Sequence, residues 1–221
     1  MGRQVHTLGM HPGRMTPTFT IVMPSYLGNY PGAAKNREAK LCRAIDSVIQ
    51  QTCSSWELIV VADGCERTAD LVEQFYGDNQ KITTILIEKQ PLWDPSVRNI
   101  GIRRAKGKWV IYLDTDDYYG SNHLDIVSRG LQLIDTGWAW FNDLEWNRTS
   151  KQFVERHCDI GHKDKHGTSN LVHLKALEVY WDEGTYKQDA FFAGELKKSG
   201  PGTKIPTPEY CVAHIPGRYD L

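Results

Sequence analysis

KWVIYLDTDD, residues 108–117, is a run of apolar and aromatic side chains that stops at three carboxylates. Trp109, Val110, Ile111, Tyr112 and Leu113 form a short β-branched and aromatic run, which reads as a buried strand rather than a helix. Extended backbone points residues two apart to the same side, about 6–7 Å along the strand. Asp114 and Asp116 therefore project together from the strand's end, flanked by Asp117. Like charges at this spacing raise one another's pKa unless something positive lies between them. A hard divalent cation with oxygen ligands suits such a cluster, and phosphate oxygens can complete its shell. An acidic turn closing a core strand has the same composition, so the D-x-D pattern alone does not separate the two readings.

Working outward, strand and helix patterns alternate through the first half. Residues 18–24, 57–62, 81–87 and 108–113 read as strands, and residues 34–50, 69–75 and 96–105 as helices. This order predicts an α/β fold with a mostly parallel central sheet and helices on both faces. Ligands of such sheets bind beyond the carboxyl ends of the strands. Polar residues collect there: Ser25 and Tyr26, Asp63, and the aspartates of 114–117. The second half is less regular. Residues 121–133 read as a helix with Ser121 as N-cap, 138–146 and 152–156 as strands, and 158–169 as a polar loop. Residues 170–180 and 186–198 read as helices, 200–208 as a loop, and 210–214 as a last short strand. The organisation expected is a loose leader (1–17) and a single domain (18–221), with a donor half (18–120) and a small acceptor-side half (121–221).

The chain has 221 residues, enough for one sizeable core, and a net charge of −1 with no sustained basic run, so nothing points to a nucleic-acid partner. No apolar stretch approaches the length of a membrane span, and the first residues hold no secretory h-region. Five cysteines (Cys42, Cys53, Cys65, Cys158, Cys211) without metal-type spacing read as free thiols in a reducing, cytoplasmic setting. His157, His162, His166 and His173 fit no tight ligand set and read as solvated loop histidines.

Four segments in order carry a family likeness: TIVMPSY (20–26), ELIVVADGC (57–65), RNIGIRRAKGKWVIYLDTDD (98–117) and YWDEGTYKQDAFF (180–192). Over residues 18–195 the chain resembles a family 2 glycosyltransferase with the GT-A (Rossmann-like) nucleotide-diphospho-sugar transferase fold, nearest the spore-coat polysaccharide type. The resemblance implies that Pro24, Ser25 and Tyr26 line a nucleobase pocket and that Asp63 hydrogen-bonds the base, typically uracil. Ala62 and Cys65 depart from the family's V-D-D-G-S at its first Asp and its Ser. By the same resemblance Arg98 and Asn99 lie near ribose and diphosphate. Asp114, Thr115 and Asp116 contact the nucleotide sugar, and Asp116 and Asp117, with His214, hold Mn²⁺ or Mg²⁺. Asp189 stands where the family has its catalytic base. Asp182 and Glu183 are rivals for that role or acceptor contacts, and His166 and Trp181 are further sugar or acceptor candidates; Trp93 is another ring for sugar stacking.

The chemistry matches these residue types. A departing diphosphate gathers negative charge that a divalent ion stabilises, and an acceptor hydroxyl needs a general base on the opposite face. The expected activity is thus a metal-dependent, inverting transfer from a nucleotide sugar, UDP-sugar first, to a glycan or glycoconjugate hydroxyl. A sugar-phosphate nucleotidyltransferase is a rival, but PSYLGNYPG (24–32) replaces its basic Gly-rich loop. A binding protein of the same fold without turnover is the other. As a structural alternative, Asp189 is a helix N-terminal Asp and Asp63-Gly64 a strand-to-helix turn.

Overall fold

Alternation within the buried strands sorts their side chains onto two faces, and the helices follow. The chain is described by a computed structural model covering residues 16–91, 95–162, 167–181 and 188–221. Strands β1 (Phe19–Ser25), β2 (Trp56–Asp63), β3 (Ile82–Ile87) and β4 (Trp109–Tyr112) are parallel neighbours. Phe19, Ile21, Met23, Leu58, Val60 and Ile111 face one side. There they meet α1 (Arg37–Ile49), α2 (Glu66–Tyr76) and α4 (His123–Gln132) through Leu41, Ile45, Leu71, Leu124 and Val127. Val22, Val110 and Tyr112 face the other side and meet α3 (Ser96–Arg104) and α5 (Gln188–Lys198) through Ile102, Phe192 and Leu196. Each such fully buried aliphatic side chain contributes about 1.5–3 kcal/mol, which fixes the strand faces. Gly101 lets α3 lie close to the sheet, because a Cβ there would come within 2.4 Å of Val22.

The sheet is completed by β6 (Trp138–Trp140), β9 (Leu171–Leu174) and β10 (Thr203–Lys204), in the order β10-β6-β9-β4-β1-β2-β3. Of these strands, β9 alone runs antiparallel to its neighbours, pairing with β4 and β6. A second, four-stranded sheet orders β5 (Tyr118–Tyr119), β11 (Tyr210–Val212), β7 (Asp143–Asn147) and β8 (Gln152–Arg156). A last pair, β12 (His214–Ile215) and β13 (Tyr219–Asp220), forms a small hairpin. No described helix is long and apolar enough to cross a membrane.

The α/β class, the parallel strands and the two helical layers agree with expectation, and several local readings need correction. Residues 170–180, expected as a helix, are β9 followed by a 3₁₀ turn over Lys175–Leu177. Leu171, Val172 and Leu174 are buried between two strands, and a short apolar run does not distinguish that setting from a helix. The single strand expected over 138–146 is two strands, β6 and β7, in different sheets. Asn122, not Ser121, precedes α4, and it makes no side-chain cap. β5 and β10 lay inside stretches read as irregular. His173, read as a solvated loop residue, is fully buried in β9, where its Nε2 meets the Tyr112 hydroxyl at 2.8 Å.

His123 is the least satisfied polar group of this core. It is fully buried and stacks on Tyr119 at 3.8 Å, and neither ring nitrogen has a partner among the described residues. Burial pulls its pKa down to about 3 and that of His173 to about 4. Both rings are therefore neutral in the folded chain, whereas unfolded histidine protonates near pH 6.5. Below that pH the unfolded chain binds more protons, so stability falls as pH drops from about 6.5 toward 4, by about 1.4 kcal/mol per pH unit for each ring. His123→Phe keeps the stack and removes the unpaired nitrogens. Urea denaturation should show it more stable by about 1–3 kcal/mol at pH 7, with a shallower loss down to pH 5. An unchanged pH slope would contradict the assignment.

Candidate active site

The carboxyl ends of β1, β2 and β4 open into a cavity of about 360 Å³. Parallel register sets its floor: Ser25 pairs with Ala62 and Val22 with Tyr112, so Pro24, Asp63 and Asp114 reach the same rim. Pro24, Ser25, Tyr26, Asp63, Arg98, Asp114, Thr115, Asp116, Asp117 and His214 all line the cavity. The structure thus brings together most of the residues singled out from the sequence. Tyr30, Arg37, Lys89, Arg156 and Ser169, which were not singled out, line it too.

At one end Tyr26 stacks with Tyr30, with ring centroids 6.4 Å apart and 20° between planes. Arg37 lies over the Tyr30 ring at 4.7 Å and donates to the Gly28 carbonyl. Lys89 lies over Tyr26 at 4.4 Å and donates to Asp63 at 2.7 Å. The other oxygen of Asp63 accepts from the backbone N–H of Gln90, also at 2.7 Å. Gly64 permits this closure. Its φ is +58°, and a Cβ there would lie 2.6 Å from the Lys89 Cα. Asp63 is therefore presented as half of an ion pair rather than as a bare acceptor.

At the centre the aspartates diverge in role. Asp114 is held by Arg98 at 2.9 Å. Asp117, expected as a metal ligand, has both oxygens occupied: the Tyr210 hydroxyl donates at 2.9 Å and the Ala213 N–H at 2.7 Å. Burial, with the charges of Asp116 and Asp114, pushes its pKa well up. Asp116 faces the cavity, and no other described residue donates to its carboxylate. Burial and the Asp114 charge raise its pKa, while His214 and Lys40 pull against the rise. Arg43 pins the turn by donating to the Asp116 carbonyl at 2.8 Å. His214 sits between two acceptors, the Asp220 carboxylate and the Gly32 carbonyl, each 2.9 Å away.

Among the described residues no three His, Cys, Asp or Glu side chains converge as a ready-made metal cage. A cation of the Mg²⁺ type takes only one or two protein carboxylates and fills its shell from substrate phosphates and water. Asp116, half-desolvated and crowded by Asp114, fits that use.

Asn99 does not line the cavity. It is 2% exposed and clips Trp181 to α3, donating to the Trp181 carbonyl at 2.9 Å and accepting its N–H at 2.7 Å. Neighbouring helix positions diverge by about 100°, so Arg98 faces the cavity and Asn99 turns away. Trp181 is buried too, stacked on Phe192 with centroids 4.2 Å apart. Asp189 stands partly buried in the first turn of α5, outside the described lining. His166, Asp182, Glu183 and Trp93 lie outside the described residues.

The family model described as glycosyl transferase family 2 matches residues 33–131. An uncharacterized glycosyltransferase of Haemophilus influenzae is 33% identical over 116 residues, covering 52% of this chain and 34% of that protein. Over residues 33–131 the chain is thus similar to glycosyl transferase family 2, and it spans about a third of the length of that relative. Its fold matches that of S. aureus TarS residues 1–349, solved in complex with UDP-GlcNAc, at a TM-score of 0.71 and 16% identity, over 91% of this chain and 60% of that one. The mannosyltransferase PcManGT of Pyrobaculum calidifontis, solved with GDP-Man and Mn²⁺, aligns at a TM-score of 0.64 and 14% identity, over 93% of this chain and 59% of that one. At such identities the likeness is one of fold, here the GT-A fold. The family match spans Asp63, Arg98 and the aspartates, and ends before Arg156, Asp189 and His214.

The Tyr210 hydroxyl joins the two parts of this site: it donates to Asp117 and accepts the Asp114 N–H at 3.3 Å. Tyr210→Phe strands a buried carboxylate oxygen, so stability should fall by about 1–3 kcal/mol in denaturant titration. Tyr219→Phe, a control at a half-buried hydroxyl, should cost less. Equal stability of the Tyr210 variant and the parent would refute this role.

Proposed function

We propose that the chain transfers a glycosyl group from a nucleoside-diphosphate sugar, UDP-sugars first, to a hydroxyl of a glycan or glycoconjugate, with inversion at the transferred carbon. The observation that carries this reading is the cavity at the carboxyl ends of β1, β2 and β4, with aromatic rings at one end and cations and aspartates at its centre. Tyr26 and Tyr30, beside the Asp63–Lys89 pair, take the base. Arg37 and Arg98 meet the charge of the diphosphate, and Asp114, oriented by Arg98, receives a ribose or sugar hydroxyl. Asp116, with His214, would hold a divalent cation, Mn²⁺ or Mg²⁺, which when bound supplies positive charge at the leaving diphosphate.

Asp189 takes the proton of the acceptor hydroxyl as that oxygen bonds to the sugar carbon and the diphosphate leaves with the electron pair of the broken C–O bond. Its helix is seated through Phe192 on Trp181, which Asn99 fastens to α3. The same α3 carries Arg98, so donor and base are positioned by one packed unit.

Calorimetric titration with UDP, with and without Mn²⁺, tests the donor site. Asp116→Asn should lose the Mn²⁺-dependent part of the affinity. Asp189→Asn should keep UDP binding and lose about 10²–10⁴-fold in turnover. Absence of UDP binding under both conditions would overturn the donor assignment, and full turnover by Asp189→Asn would place the base elsewhere.

A further inference from the structure

The β12–β13 hairpin folds back beside the aspartates and places Asp220 directly across from His214. Asp220 is anchored independently of that histidine. Its Oδ2 accepts the Lys35 N–H at 2.9 Å, and its Oδ1 accepts from Lys40, whose side chain is 8% exposed. Both donors belong to the start of α1 and the loop before it, so the carboxylate keeps its place whichever way the imidazole turns. Gly32, the other partner of His214, sits in a turn with φ +79°.

The two ring nitrogens of His214 therefore have unequal partners. A histidine that ligates a metal offers one bare nitrogen, while its other N–H is held by a carboxylate or carbonyl that fixes tautomer and orientation. Nδ1 against Asp220 is that held side. Nε2, against the Gly32 carbonyl, is the side a cation would claim.

We propose that Asp220 is a positioning residue that aims Nε2 of His214 at a divalent cation beside Asp116, with the Gly32 carbonyl as the partner Nε2 gives up. This rests on the reading of His214 as a cation ligand made above. A cation there would take the place of the Gly32 carbonyl, which belongs to the turn two residues after Tyr30.

The test is titration of Mn²⁺ into the UDP-saturated full chain, alongside UDP titration without metal, for the parent, His214→Ala, Asp220→Asn and Asp220→Glu. Asp220→Asn should weaken Mn²⁺ by about 10–100-fold and leave metal-free UDP affinity within about twofold, and Asp220→Glu should recover part of the loss. Unchanged Mn²⁺ affinity in Asp220→Asn where His214→Ala has lost it overturns the proposal. So does an equal loss of metal-free UDP affinity, which would mark Asp220 as a wall residue only. Unchanged Mn²⁺ affinity in His214→Ala overturns the ligand reading itself. If Asp220→Asn does not fold, ¹⁵N-histidine NMR of the parent with Mg²⁺ and UDP decides: a proton on Nδ1 of His214 is expected, and a proton on Nε2 alone overturns it.

Discussion

The buried carboxylate of Asp117 is the joint on which the site depends. It follows the last strand of the parallel half by a few residues, yet its two hydrogen bonds come from Tyr210 and Ala213, near the other end of the sequence. A desolvated carboxylate is costly unless both oxygens are satisfied. The turn after β4 and strand β11 must therefore meet in one register. That meeting sends Asp116 into the cavity and delivers His214, one residue past Ala213, beside it. The D-x-D-D cluster divides its labour: one residue is spent on architecture, one is held by Arg98, and one faces the cavity.

Charge pairing within the cavity sharpens this division. Asp63 is matched by Lys89, Asp114 by Arg98, and Asp143, which is 1% exposed, by the fork of Arg156. Such pairs cancel at short range and act as oriented dipoles more than as net charge. Among the described lining residues, Asp116 on one side and Arg37, which meets aromatic rings and a carbonyl, on the other stand outside these pairs. A diphosphate brought beside Asp116 adds like charge to like, and this is the physical ground for expecting a cation with it.

The first half was legible because its signals are local. Buried parallel strands announce themselves as apolar runs, and the rule that ligands sit at their carboxyl ends located Ser25, Asp63 and the aspartates without coordinates. The same rule applied to β3 would have found Lys89, two residues beyond Ile87. Arg156 gave no such sign: it reaches the cavity from an edge strand of a different sheet, and nothing in QFVER marks an inward-facing arginine. The second half was misread where tertiary context overrides periodicity, as in β9. Asn99 was read as a ligand contact because it neighbours Arg98 in one motif, and Trp181 as a sugar or acceptor ring because it is an aromatic in another, residues 180–192; the structure shows the two clipped together behind Arg98.

The cavity draws its walls from residues as far apart as Pro24 and His214, on two sheets and a hairpin. No contiguous fragment carries it, so occupancy and global folding are thermodynamically linked. A ligand that binds only the assembled walls stabilises the native state by RT ln(1 + [L]/Kd), about 2.7 kcal/mol at a hundredfold excess over Kd. For a chain whose core includes an unsatisfied histidine and a buried carboxylate, that increment is a sizeable share of the whole. A ligand of the cavity would act, in effect, as the last element of the fold.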